Sequence, residues 1–322
     1  MLKVLFLIGS LLWGFRPSSL DIHYPEGHGD THFAKHPVAL KGISPSSFQK
    51  SHQTSHFIIH YNIGGDSAVA NIDNNFNSTP DFIDNLALHL EGSWSAYITQ
   101  NNWAPPPLEP GETKYPVFIF DLGLQVYGYV QTDNFATGGV RPGDNENTSV
   151  IETSAFVSYM AIQNDFSNFT FDVEGALKIT VYHEFFHAIQ FGYAADDDFW
   201  FLEARATAME TIFVPEVRDN FGFLSTLLKY PDISLTSDSE DNKNSDWLGH
   251  EYASWPFFYF IYEKKGGLST LREMDEIGVA IESYDADSGI YIIDQALDTQ
   301  GSNFLKTWAE YGLALMASDQ DV

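Results

Sequence analysis

Apolar positions along this chain fall into two rhythms, and the change from one to the other divides it. In the first half, "HFIIHYN" (His56 to Asn62) and "YPVFIFDL" (Tyr115 to Leu122) are short apolar runs that predict strands, the second buried on both faces. "VYGYVQ" (126–131), "TSVIET" (Thr148 to Thr153) and "FVSYMAIQ" (Phe156 to Gln163) predict three more. Between the first two runs, Phe82, Ile83, Leu86, Leu90, Trp94 and Tyr97 recur at helical spacing, so a helix is expected from Asp81 to Gln100. Thr79 is its expected N-cap and Pro80 its first residue. Beyond Gln163 the helical rhythm takes over. Glu174 to Phe191 holds no proline and is apolar nearly all round, the mark of a buried helix. "SWPFFYFIYEKKGG" predicts another helix, opened near Pro256 and closed at Gly266, and "SNFLKTWAEYGLALMAS" (Ser302 to Ser318) a further one. The fold class expected is α+β, a mixed sheet followed by a mainly helical part.

The buried helix carries "TVYHEFFHAIQFGY" (Thr180 to Tyr193). His183 and His187 are one turn apart on one face, so both imidazoles can reach a single metal ion. Glu184 projects beside that face, where a carboxylate can serve as general base. Two neutral, hydrogen-bonded core histidines would give the same short pattern. Against that reading, three polar groups in a buried helix cost free energy unless something satisfies them.

A catalytic zinc takes three protein ligands and leaves one position open. "WFLEARATAME" (Trp200 to Glu210) offers the third. Glu203 lies sixteen residues after His187, on a second alanine-rich helical pattern, and "GYAADDD" between them reads as the turn that folds this helix back. Glu210, seven residues on and near the same helix face, competes for the role. Glu203 is preferred because Trp200, Glu203 and Ala206 fall in a W-x-x-E-x-x-A frame. The metzincin extension is absent: Gln190 and Tyr193 stand where it requires Gly and His.

Charge and composition narrow the partners. The 322 residues include 44 acidic against 16 basic ones, a net charge of −28. Such a charge argues against binding nucleic acid through its phosphates and against docking on anionic membranes. It fits a soluble protein, read as a monomer, in a salty or extracellular medium. Hydrophobic residues at 44% are ample for a core, so the lack of cysteine leaves no need for disulfides. "MLKVLFLIGSLLWG" has a lysine and then an apolar run too short to span a bilayer, which reads as a signal peptide over residues 1–14 and implies export, to the extracellular medium or the periplasm. Residues 15–54, with Pro17, Pro25, Pro37, Pro45 and scattered histidines, read as a loosely ordered leader or propeptide. The globular part divides at the motif, into 55–192 and 193–322.

In sequence order, "HFIIHYN", "DNNFNSTPDFID", "KYPVFIFDLG", "HEFFHAIQFGY", "WFLEARATAME" and "YASWPFFYFI" resemble a family of secreted bacterial metalloproteases distantly similar to the immune-inhibitor-A type, within the gluzincin group. These segments run over about two-thirds of the chain; "HEFFHAIQFGY" with "WFLEARATAME" is the specific pair. The resemblance implies a zincin-like fold, an upper lobe with the HExxH helix and a mainly helical lower lobe. It implies one catalytic Zn²⁺ on His183, His187 and Glu203, with Glu184 as the base. It also implies an oxyanion donor, for which Tyr252 is the first choice and His250 the second. Asp172, Asp196 and Asp197 are the candidates to orient a ligand histidine. The strand at Thr148 to Thr153 is the candidate to bind extended peptide by strand addition. Family members often carry a D-x-D-x-N-G-x-P-D stretch suited to Ca²⁺. Here it runs Asp73 to Asp81 with Asn75 as its second acidic position and no glycine, a departure that weighs against calcium. The activity implied is hydrolysis of a protein or peptide substrate, as an endopeptidase, since no motif for gripping a free amino terminus is present. The alternative is an exported binding or adhesive protein on an inactive zincin scaffold.

Overall fold

Strands that are apolar at every position need cover on both faces, and the arrangement supplies it. The computed structural model describes residues 27–28 (backbone only), 44–123, 126–132, 142–167, 172–195, 197–237, 249–280 and 288–317. The expected signal segment, most of the leader and Asp196 lie outside the described residues. The strands are β1 (Gly27–His28), β2 (Lys50–Gln53), β3 (Phe57–Tyr61), β4 (Tyr115–Phe120), β5 (Val126–Gln131), β6 (Pro142–Gly143), β7 (Ala155–Phe156) and β8 (Tyr159–Gln163). Six of them form one mixed sheet in the order β1-β5-β8-β4-β3-β2, while β6 and β7 pair separately. β3, β4 and β8 are parallel; β2 and β5 run antiparallel to β3 and β8. Strand β2 precedes residue 55, where the globular part was expected to begin, and its register with β3 runs Lys50 to Tyr61 through Gln53 to Ile58.

Side chains alternate between the two faces of the sheet. Phe57, Ile59, Val117, Ile119, Met160 and Ile162 point into the main core. Phe118, Phe120, Tyr159 and Ala161 point the other way into a smaller cluster closed by Phe48 and Tyr129. On the main-core side lie α1 (Asp81–Trp94) and α2 (Val173–Phe191), which pack on each other and on the sheet. Helix α2 is buried from Gly175 to Phe191 except at Lys178, which explains its all-round apolar pattern. Gly128 lets β5 approach it: a Cβ there would stand 2.9 Å from Thr180 Cγ2 and 3.0 Å from the Ala161 carbonyl oxygen.

The rest is helical: α3 (Phe199–Phe213), α4 (Leu224–Lys229), α5 (His250–Ala253), α6 (Trp255–Lys264), α7 (Leu268–Gly278), α8 (Ser288–Asp298) and α9 (Phe304–Ala317). Helix α3 is the hub, packed on α2, α5 and α6. Its Arg205 is wholly buried; Nη2 donates to Asp275 Oδ2 of α7 at 2.6 Å, and Trp103 Nε1 donates to the same oxygen at 2.9 Å. The mixed sheet and the helices establish the α+β class.

Two local expectations are corrected, the cap of α1 and one strand. Helix α1 begins at Asp81 with Pro80 as its cap in extended geometry, ψ 140°, so Thr79 does not cap it. The helical run expected to reach Gln100 does so: α1 passes at Trp94 into one π-helical turn, Ser95–Thr99, and Gln100 is still helical. Thr148 to Thr153 is a loop and not a strand, because local side chains take up the backbone and hydroxyl hydrogen bonds: Glu152 Oε2 accepts from Asn145 N at 3.0 Å, and Thr148 donates to Glu152 Oε1. In the loop before α1, Asp73 accepts from the backbones of Asn77 and Ser78, and Asp84 Oδ2, in the first turn of α1, accepts from the Asn75 and Asn77 amides at 2.8 Å each.

Candidate metal centre

Helix α2 delivers the histidines, and a tight return delivers α3. Gln190 ends the regular part of α2: its carbonyl oxygen accepts from Tyr193 N and Ala194 N, both at 2.9 Å. The Asn145 amide donates to the Gly192 carbonyl at 2.9 Å and secures the turn from the sheet side. The chain re-enters a helix at Phe199 and runs back along α2. Glu203 is then opposite His183 and His187.

The three side chains converge. His183 Nε2 lies 3.1 Å from Glu203 Oε2, His187 Nε2 lies 3.3 Å from the same oxygen, and the two Nε2 atoms are 2.9 Å apart. Among the described residues this is the one group of three or more His, Asp or Glu whose ligand atoms gather within 4.8 Å. All three residues are buried, at 0–1% exposure.

The outer ring nitrogens decide what the inner ones can do. His187 Nδ1 is 2.7 Å from Gln190 Oε1, while Gln190 Nε2 donates to the Leu202 carbonyl at 3.2 Å. A carbonyl can only accept, so the amide nitrogen faces Leu202 and the oxygen faces the ring, and His187 Nδ1 carries hydrogen. His183 Nδ1 is 2.7 Å from Glu210 Oε1; burial raises the Glu210 carboxyl to about 7 against the opposing pull of His183, and in its ionised form it likewise only accepts. With hydrogen on both Nδ1 atoms, each neutral ring turns an Nε2 lone pair toward the same carboxylate oxygen. Three acceptors facing one point require a proton or a cation among them.

The electrostatics of the ion-free pocket agree. Burial alone would lower the His183 pKa, but hydrogen bonds and charge from Glu203 and Glu210 outweigh it and push it up to about 10. Burial would raise the Glu203 carboxyl; His187 and His183 outweigh it and hold Glu203 far below the usual carboxylate range. Zinc fits the same donors. Ligand atoms roughly 2.0–2.1 Å from zinc at tetrahedral angles stand about 3.3 Å apart, and two imidazoles with one carboxylate are a donor set zinc accepts.

Glu184 lies beside these three residues. It is 2% exposed and its Oε2 has no hydrogen-bond partner. Burial pushes its carboxyl up to about 7; His183 and His187 oppose the shift, Glu203 and Glu210 reinforce it. Tyr252, on α5, is brought to the site: its ring is 6.3 Å from that of His183 and stacks on Phe223 at 4.9 Å. His250 is buried in the same short helix but makes no hydrogen bond to His183, His187 or Glu203; the Ser237 backbone approaches its ring without reaching hydrogen-bond geometry.

Glu210 and Gln190 stand at the outer ring nitrogens, where Asp172, Asp196 or Asp197 was expected; Asp196 lies outside the described residues. Asp172 Oδ1 accepts from Gly175 N at 2.9 Å and so caps α2, more than two turns before His183. Asp197 is buried against Gly278. Glu210 orients His183 and Gln190 orients His187. The sequence offers Glu210 only as a rival ligand and gives Gln190 no role, although a polar residue three positions after His187 shares its helix face.

Comparison of the chain with family models, with curated proteins and with solved structures gives no match.

Proposed function

We propose that this chain is a secreted zinc-dependent metallopeptidase of the gluzincin type on a zincin-like fold, with His183, His187 and Glu203 as metal ligands. The observation that carries this reading is a single arrangement: three convergent acceptor atoms at 2.9–3.3 Å, with the buried Glu184 carboxyl, whose Oε2 has no hydrogen-bond partner, next to them. Zinc held there supplies an acidified water and a Lewis acid for the scissile carbonyl. Glu184 takes a proton from the attacking water and passes it to the leaving nitrogen. Glu210 and Gln190 keep the imidazoles in the tautomer that turns Nε2 inward. Tyr252, beside His183, is the first candidate to donate to the developing oxyanion, and His250 the second.

One observation favours a second reading, an exported binding protein in which the metal is structural. Every ligand and Glu184 is at most 2% exposed, so a substrate would need part of the surrounding chain to move. A single experiment separates the two. Purified protein is assayed on a fluorogenic peptide library before and after chelation and after zinc is restored, with Glu184→Gln in parallel. The peptidase reading expects hydrolysis that follows zinc and is lost by about 10²–10⁴-fold in Glu184→Gln, which still binds the metal. Bound zinc without hydrolysis of any peptide, or equal activity in the mutant, supports the structural reading.

A further inference from the structure

Gln190 touches both helices of the centre, and its two contacts are chemically different. It is 1% exposed. Its oxygen accepts from His187 Nδ1 at 2.7 Å on its own helix; its nitrogen donates to the Leu202 carbonyl at 3.2 Å on α3. Leu202 immediately precedes Glu203. The backbone carbonyl of Gln190 itself accepts from Tyr193 N and Ala194 N, the two amides of the return turn. Making both contacts at once takes a side chain that accepts at one end and donates at the other. A carboxylate has no hydrogen to give Leu202, an apolar residue can neither accept nor donate, and a lysine cannot accept from the ring.

We propose that Gln190 is a positioning residue that sets two features of the centre at once: the tautomer of His187 and the placement of α3, and hence of Glu203, against that histidine. With the oxygen held on Nδ1, the His187 lone pair is confined to Nε2. With the nitrogen held on Leu202, the third ligand is carried on a segment tied to the second. Metal affinity then depends on an uncharged residue that donates no electron pair to the ion. The proposal rests on the reading of His183, His187 and Glu203 as a metal centre, but its first consequence exists without metal.

Three variants separate the two contacts. Gln190→Leu keeps much of the volume and removes both. Gln190→Glu keeps an acceptor for His187 and removes the donor to Leu202. Gln190→Lys removes the acceptor. The first readout is the ¹⁵N spectrum of His187 in zinc-free protein, which distinguishes hydrogen on Nδ1 from hydrogen on Nε2. The second is zinc affinity by competition with a chromophoric chelator; the third is peptidase activity at saturating zinc. Wild type and Gln190→Glu should show the Nδ1–H form, and Gln190→Leu should lose that preference. Zinc affinity should fall about 10–100-fold in Gln190→Leu, and by less in Gln190→Glu. Wild-type affinity and an unchanged His187 tautomer in a folded Gln190→Leu protein would overturn the proposal. So would an Nε2–H tautomer in wild type. Zinc binding that weakens as expected in a protein with no peptidase activity would overturn the enzymatic reading and leave the role of Gln190 standing.

Discussion

Glu210 Oε1 lies 2.7 Å from Nδ1 of His183, across the imidazole from the Nε2 that faces Glu203. The two glutamates of α3 therefore hold opposite sides of one ring. Glu203 shares the inner side with the second histidine, and Glu210 steadies the outer side. Helical geometry permits both: the seven-residue spacing puts them near one face, about 10 Å apart along the axis.

This division predicts different losses. Glu203→Ala should abolish stoichiometric zinc binding, since a ligand is removed. Glu210→Ala should retain zinc with affinity reduced about 10–100-fold, since only the orientation of His183 suffers. Elemental analysis and chelator competition on both variants check this, and the opposite ranking would make Glu210 the ligand.

A second prediction concerns protons. The His183 pKa, raised from 6.5 to about 10, means the zinc-free pocket holds a proton at pH 7. Zinc must displace it, so apparent affinity should rise about tenfold per pH unit while that proton is bound. In the zinc-free protein the sign for stability is the reverse. The contribution of His183 is full below about pH 6.5 and is lost as pH rises through about 10. Calorimetry at pH 7 in buffers of different ionisation enthalpy should show about one proton released per zinc.

Asp219 yields a test away from the ligands. Its Oδ2 is buried without a hydrogen-bond partner, and burial pushes the carboxyl from 3.8 up to about 6. The folded state then holds the proton more tightly than the unfolded chain. Stability is greatest below pH 3.8 as far as this group goes and declines as pH rises through about 6. Asp219→Asn removes the buried charge and should stabilise the protein by about 1–3 kcal/mol at pH 7 while changing little near pH 4. Thermal melts at the two pH values decide it; equal shifts at both would sink the assignment.

The Arg205–Asp275 pair should be unforgiving when broken singly. Asp275→Ala leaves a wholly buried guanidinium without its carboxylate and the Trp103 indole without its acceptor, at a cost of about 3–5 kcal/mol. Replacing both charges together, as Arg205→Met with Asp275→Leu, should cost less than Asp275→Ala alone. Urea denaturation of the three proteins measures the difference.

The sequence by itself determined the elements whose apolar rhythm is strong and local. The long buried helix, the strand at Tyr115, the helix opened near Pro256 and the pairing of two histidines one turn apart all follow from spacing of 3.6 or 2 residues, which any short window displays. It also marked Glu203 as a partner across a turn. What only the tertiary structure decided are relations between distant segments. Spacing along α3 leaves Glu203 and Glu210 on nearly one face; only the packing of α3 on α2 puts one inside and one outside the His183 ring. Gln190 is unremarkable until the Leu202 carbonyl is beside it. The segment from Thr148 to Thr153 has strand composition but pairs with no strand among the described residues, and Glu152 accepts from Asn145 N and the Thr148 hydroxyl instead. The physical reason is the same in each case. Periodicity records which face of an element is buried, whereas hydrogen-bond partners are set by which elements meet, and that is settled only when the core closes.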